Sequence, residues 1–190
     1  IFNSTELKNL KKYQNIFKEK FSNKHLIIFG INNSVDKKTF NSLAVVNNNL
    51  DLIEFYNKNN LVPFGEFLPL ETSLKGLGMK TITNFYNSYS AGEKRDIINL
   101  QKHDFDISFL PLICYEIIYS GKLSKKYNYD LIINISEDGW FGKSIGPHQH
   151  FSHSIFRSIE EGKSIIRSAN NGISAYIDSK GQIIKRIEST

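Results

Sequence analysis

The single cysteine of the chain, Cys114, ends an apolar run, ISFLPLICYEI (107–117), that reads as a buried strand turning into a helix. A thiol at such a junction is held where backbone N–H groups of the next turn can receive an oxyanion, the arrangement needed for nucleophilic acyl transfer. Upstream, Lys58 stands in YNKNNLVPFGEFLPLE (56–71), where Pro63, Gly65 and Pro69 stiffen a loop that presents Glu66. An ammonium near a thioester-forming cysteine stabilises the negative oxygen of each tetrahedral intermediate, and a carboxylate on a stiff loop can orient that lysine. Plainer readings exist for each residue: a free cysteine usually packs as a small hydrophobe, Lys58 can be a solvated strand-end lysine, and Glu66 a surface carboxylate. Glu116, two residues after the thiol, can cap the first turn of a helix instead of reacting.

The elements that must position these residues follow from periodicity. Leu7, Leu10, Tyr13, Phe17 and Phe21 recur at three-to-four spacing and predict an amphipathic helix over 5–22, with Glu6 in its first turn. HLIIFGI (25–31) predicts a strand, 32–38 a turn, and 39–47 and 51–58 two more strands. Leu52, Glu54, Tyr56 and Lys58 are then expected on one face, so that a β-meander delivers Lys58 at a strand end. Residues 61–104 read as a long loop with a short helix around 93–100. A strand over 105–114, a helix over 117–127 and a strand over 130–136 imply parallel pairing. The Gly-rich stretch 137–147 is expected to be a loop, Pro147 to open a helix running to about 162, and 163–169, 172–178 and 182–188 to be strands, the last two joined by a hairpin at 179–181. In RSANNGISA (167–175), Asn170 and Asn171 suit the left-handed conformations of a turn.

Composition bounds the rest. In 190 residues with 40% hydrophobic content, 14 Phe and 9 Tyr, there is enough apolar surface for a substantial core and too much for a disordered chain. One cysteine excludes an internal disulfide framework, and no run of about 18 apolar residues is present. The net charge of +5 suits an anionic partner, but no Lys/Arg stripe interleaves with aromatics, which argues against nucleic-acid binding. HQHFSH (148–153) clusters three histidines, and with Asp138 invites a metal reading; a helix start is the simpler one, and no metal is expected.

Four segments, YNKNNLVPFGEFLPLE (56–71), ICYE (113–116), NISEDGWFGKSIGPHQH (134–150) and RSANNGISAYID (167–178), resemble in order and spacing the nitrilase-like domain of the apolipoprotein N-acyltransferase family. The resemblance covers almost the whole chain. It implies an α/β fold, the nitrilase-like αββα sandwich, with a Glu-Lys-Cys triad. The family's lysine falls on Lys58, its nucleophile on Cys114, its supporting glutamate on Glu66, and the residues that follow the nucleophile on Tyr115 and Glu116. Trp140 falls on a tryptophan lying where lipid enters; a partly buried aromatic anchor is the equal alternative. The implied partners are a phospholipid acyl donor and the diacylglyceryl-modified N-terminal cysteine of a bacterial lipoprotein, with no cofactor, at the periplasmic side of the inner membrane.

The departures from the family pattern matter as well. Its first triad member, a glutamate just ahead of the opening helix, has no counterpart: Glu6 and Glu19 lie within the helix and Glu54 within a strand. The resemblance therefore leads us to expect 1–190 to be a partial domain, with membrane spans and the triad-glutamate strand ahead of it and closing strands after it, inactive by itself. Asn60, Glu137-Asp138-Gly139 and Tyr119-Ser120 also differ from the commoner residues at those places. Two other readings stay open: a soluble nitrilase-type amidase that passes its thioester to water, and a catalytically dead lipid-binding module.

Overall fold

The computed structural model describes residues 2–70, 88–102, 105–121, 123 and 128–188. The chain forms two compact units, Ile1–Lys94 and Arg95–Thr190, each built around its own sheet, so the fold is mixed α/β with few helices, in the class expected.

In the first unit, Ser4 caps α1 (Thr5–Leu10) by accepting from the Leu7 amide at 3.3 Å, and a 3₁₀ turn leads into α2 (Gln14–Lys20). Three antiparallel strands follow in the order of the chain: β1 (Ile27–Val35), β2 (Lys38–Val46) and β3 (Leu52–Asn57). β1 runs four residues past the end read from sequence. The polar residues 32–34 join the ladder because their side chains find partners there: buried Asn33 accepts from the Asn3 amide at 2.6 Å and donates to Asn57 Oδ1 at 3.2 Å. The turn is confined to Asp36 and Lys37, both at positive φ, the conformation that a two-residue hairpin requires. Ala44, Val46 and Leu52 pack with Leu7, Leu10 and Phe17 of the helical segment.

The predicted common face of β3 is broken. Val45 pairs with Glu54 but Val46 with Leu52, so a bulge at Ile53 shifts the alternation by one residue. Leu52 joins the face packed on the helices, whereas Glu54 and Tyr56 lie on the opposite face. Lys58 continues that second face past the strand end, its amide donating to the Asn41 carbonyl at 2.8 Å.

The second unit is a six-stranded mixed sheet: β4 (Ile98–Lys102), β5 (Phe105–Ile113), β6 (Leu131–Glu137), β7 (Ser164–Asn170), β8 (Ser174–Ile177) and β9 (Ile183–Ile187), in that spatial order. β5, β6 and β7 are mutually parallel and the outer pairs antiparallel. The helix predicted over 93–100 is not present: residues 98–102 are a strand, because Ile98 and Leu100 are buried on either side of exposed Asn99 with period two, not three-to-four. The helix predicted over 117–127 is not continuous in its described part. A 3₁₀ turn, Cys114–Ile118, ends where Tyr119 becomes extended, and residues 122 and 124–127 lie outside the described residues. α3 (Gly146–Glu161) carries Pro147 in its first turn and closes at Gly162 in the left-handed conformation.

One face of the sheet carries the core. Leu110, Ile132, Ile165 and Ile177 form a register row across four strands, packed with Leu112, Ile117 and Phe151. Ile132 is fully buried at the centre of this cluster. Ile132→Ala is expected to lower unfolding stability by about 2–5 kcal/mol through lost burial and a residual cavity, read as a lower urea midpoint at unchanged slope; a shift below about 0.5 kcal/mol would contradict this packing.

Candidate active site

The residues with chemistry lie in two groups, one in each unit. In the first, Lys58 is 1% exposed, and its ammonium meets Glu66 Oε2 at 2.7 Å. Glu66 is held in turn: the Val62 amide donates to Oε2 at 2.9 Å and Asn41 Nδ2 to Oε1 at 2.8 Å. The loop between them closes tightly, with the Glu66 amide donating to the Val62 carbonyl at 2.8 Å and Phe64 in the left-handed region. Gly92 N donates to the Lys58 carbonyl at 2.8 Å, and a Cβ at Gly92 would lie 2.2 Å from the Asn57 carbonyl, so only glycine permits that approach. A buried ammonium without a counter-charge is costly, and Glu66 supplies that charge in one fixed geometry.

In the second group, Cys114 stands directly after β5 with φ +51, a left-handed conformation that non-glycine residues adopt at a cost of about 1–3 kcal/mol. The thiol residue is half-buried. Glu116, fully buried, accepts from the Ile113 amide at 2.9 Å through Oε2 and from Arg95 Nη2 at 3.0 Å through Oε1. It thus ties the residue before the thiol to the turn after it. Tyr115 is partly exposed, and its ring lies 6.2 Å from that of His150. Trp140 is 62% exposed in the 3₁₀ turn Gly139–Phe141, which favours a surface position over a buried anchor.

Beneath Cys114 lies a charged network. The next register row of the sheet, one step along from Ile132, holds Leu112, Asn134, Arg167 and Ala175. Arg167 donates through Nη1 to Asn134 Oδ1, through Nη2 to Asp138 Oδ2 at 2.7 Å and through Nε to the Ile173 carbonyl at 3.2 Å. Asp138 Oδ1 accepts from Ser136 at 2.7 Å and faces His150 Nδ1 at 2.9 Å. Two donors converge on the Cys114 carbonyl: His150 Nε2 at 3.3 Å and Asn134 Nδ2 at 3.5 Å. Burial pushes the Asp138 carboxyl up, but the His150 hydrogen bond, the Arg167 charge and the Ser136 hydroxyl outweigh it and hold it below its ordinary value. Burial likewise lowers Arg167, with Asp138 opposing.

The loops above are also tied. Glu137 accepts from Asn170 Nδ2 at 2.5 Å, Asn171 Nδ2 at 3.0 Å and the Gly139 amide at 2.8 Å. Asn171 is left-handed, as the turn reading expected. A Cβ at Gly172 would lie 2.2 Å from Asp138 Oδ2. The three histidines do not converge: His148 is exposed, His153 packs on Phe156, and His150 faces Asp138, whose carboxylate also carries Arg167. A guanidinium in that position repels a metal cation.

Sequence reasoning missed Asn134 and Arg167, and read Asp138 and His150 only as possible metal ligands. A signal was present: Asn134 in LIINIS and Arg167 in SIIRSA interrupt otherwise apolar parallel strands at inward positions. Buried polar groups in such places require partners.

The thiol thus follows an interior strand of a mixed sheet, in a left-handed turn. The chain belongs to the carbon-nitrogen hydrolase family, whose sequence pattern matches residues 9–190. It is 37% identical over 155 residues to the apolipoprotein N-acyltransferase of Rhizobium rhizogenes, an alignment covering 81% of this chain and 28% of that protein. It is 36% identical over 178 residues to the enzyme of the same name from Wigglesworthia glossinidia brevipalpis, covering 90% and 35%. The chain thus spans about a third or less of these relatives. In fold it is similar to an amidase from Nesterenkonia sp., with a TM-score of 0.66 and 12% identity over 98% of this chain and 65% of that one. These findings bear out the resemblance carried by the four segments.

Removing Glu66 leaves a buried ammonium, so Glu66→Ala is expected to destabilise the protein by about 3–5 kcal/mol, visible as a lowered urea midpoint; a neutral change would contradict the pairing. Asp138 titrates below its unfolded value of about 3.9. Its contribution to stability is therefore complete above about pH 4 and is lost as pH falls through the folded value. Urea titrations from pH 6 to pH 2.5 should show a steeper acid loss for the wild type than for Asp138→Asn, which starts less stable; parallel curves would contradict the network.

Proposed function

We propose that this chain is the catalytic part of a lipoprotein N-acyltransferase. On this reading the Cys114 thiolate attacks the acyl ester of a phospholipid, and lysophospholipid leaves. The resulting thioester then acylates the α-amine of a diacylglyceryl-modified N-terminal cysteine. Lys58, oriented by Glu66, offsets the negative charge of each tetrahedral intermediate. The thiol proton goes to a general base and returns to the leaving oxygen. Glu66 is engaged by Lys58 and Glu116 by Arg95 and the Ile113 amide, so neither suits that task. The family pattern uses a glutamate ahead of the opening helix. Tyr115 and Glu116 support the nucleophile's turn, and Trp140, exposed in its own turn, is the residue that meets lipid on this reading.

The observation that carries this reading is identity of 36–37% to proteins named apolipoprotein N-acyltransferase across four-fifths or more of the chain. The amidase likeness, at 12% identity, speaks to fold alone. Placement at the periplasmic face of the inner membrane belongs to the same proposal. No described helix is long and apolar enough to cross a membrane.

The full-length protein is tested with phospholipid and a diacylglyceryl-cysteine peptide. N-acylated peptide is expected as the product. Cys114→Ala and Lys58→Ala should each lower turnover at least about a thousandfold, the scale of losing a nucleophile or an oxyanion partner, measured at a temperature where each variant is folded, since Lys58→Ala also leaves Glu66 without its counter-charge. Free fatty acid released without N-acyl peptide would favour an amidase-like hydrolase, and unchanged turnover in either variant would refute its role.

A further inference from the structure

The network behind Cys114 has no part in binding or in the chemical steps above, yet it ends on the nucleophile's own peptide group. We infer that His150 is a positioning residue for Cys114, donating from Nε2 to the Cys114 carbonyl and so holding the left-handed turn that presents the thiol. The inference rests on the reading of Cys114 as nucleophile.

The geometry supports this on three counts. A carbonyl oxygen only accepts, so a hydrogen bond across this 3.3 Å contact requires the proton on Nε2, while Nδ1 lies 2.9 Å from Asp138 Oδ1 and 3.2 Å from Arg167 Nη2. The ring cannot readily turn away from that carbonyl. Its Nδ1 faces the Asp138 carboxylate at 2.9 Å, Asp138 is fixed by Arg167 and Ser136, and Phe141 and Tyr115 pack on the imidazole with ring centres 5.5 and 6.2 Å away. Finally, the residue that receives the bond is a non-glycine at φ +51, a conformation that persists only where the surroundings over-determine it. Glu116 restrains the turn from the amide of Ile113, and His150, helped by Asn134, restrains it from the carbonyl of Cys114. These bonds fix the peptide group that follows the thiol and, one residue earlier, the Leu112–Ile113 peptide, which together limit how far the Cα–Cβ bond of Cys114 can turn. Asp138 and Arg167 then act at one remove, by aiming the ring.

The test reads the thiol itself, in the full-length protein. The rate of Cys114 carbamidomethylation by iodoacetamide is measured by peptide mass spectrometry for the wild type, His150→Gln, His150→Asn and His150→Leu, beside melting temperatures. Gln places an amide nitrogen near the position of Nε2, whereas Asn carries the same group one methylene short, near Nδ1. The Gln variant is expected to react within threefold of wild type. The Asn and Leu variants should react at least tenfold more slowly, and where turnover is measurable should lose kcat while KM changes less than threefold. Wild-type rates in a folded Asn or Leu variant, or a Gln variant as slow as Asn, would overturn the inference. Failure of both donor-less variants to fold would mark the ring as a fold-holding residue and overturn it as well. Alkylation that depends on His150 in a protein with no acyl transfer would leave this inference standing and sink the proposed function.

Discussion

A carboxylate, an imidazole and a guanidinium buried beside one another must satisfy each other, because water is not there to do it. Asp138, His150 and Arg167 meet that constraint in one arrangement, and much of the second unit is organised by it. Arg167 fixes the middle of β7 to Asn134 on β6, Asp138 fixes the loop after β6, and His150 fixes the first turns of α3. These elements come from distant parts of the chain and converge on the peptide of Cys114. Even the glycine at 172 follows from it, since a side chain there would occupy the place of the Asp138 carboxylate.

The first unit solves a similar problem on a smaller scale. Lys58 is carried past the end of β3 into a buried position, and the short loop to Glu66 returns the compensating charge after eight residues. Pro63 and the left-handed Phe64 limit the conformations it can adopt. Because Glu66 is also bound by Asn41 and the Val62 amide, the ammonium has a fixed place before any substrate arrives. Such a fixed ammonium is what the oxyanion role proposed for Lys58 requires.

Much of this was legible in the residues. The meander ending at Lys58, the parallel pair around Cys114, the helix opened by Pro147 and the turn at Asn171 all follow from local periodicity and turn chemistry. What escaped depended on non-local pairing. The bulge at Ile53, which moved Leu52 to the other face, is a matter of register between β2 and β3. Residues 98–102 became a strand because β5 was available to pair with them, and Ile97-Ile98 and Leu100 satisfy either a helical or an alternating pattern over so short a span. The partners of Asn134 and Arg167 lie on three other elements, so sequence could flag them as anomalous without revealing what they bind. Cys114 stood out in the sequence, but the left-handed turn that holds it did not: φ +51 is not a conformation that cysteine chooses by itself.

The account turns on Cys114 carrying the acyl group between donor and acceptor. Its most direct test is mass spectrometry of the full-length protein mixed with phospholipid and no acceptor. One fatty acyl mass is expected on the peptide containing Cys114, released by hydroxylamine and discharged when diacylglyceryl-cysteine peptide is added. An acyl group found elsewhere, or acyl transfer that proceeds with no adduct on Cys114, would contradict it.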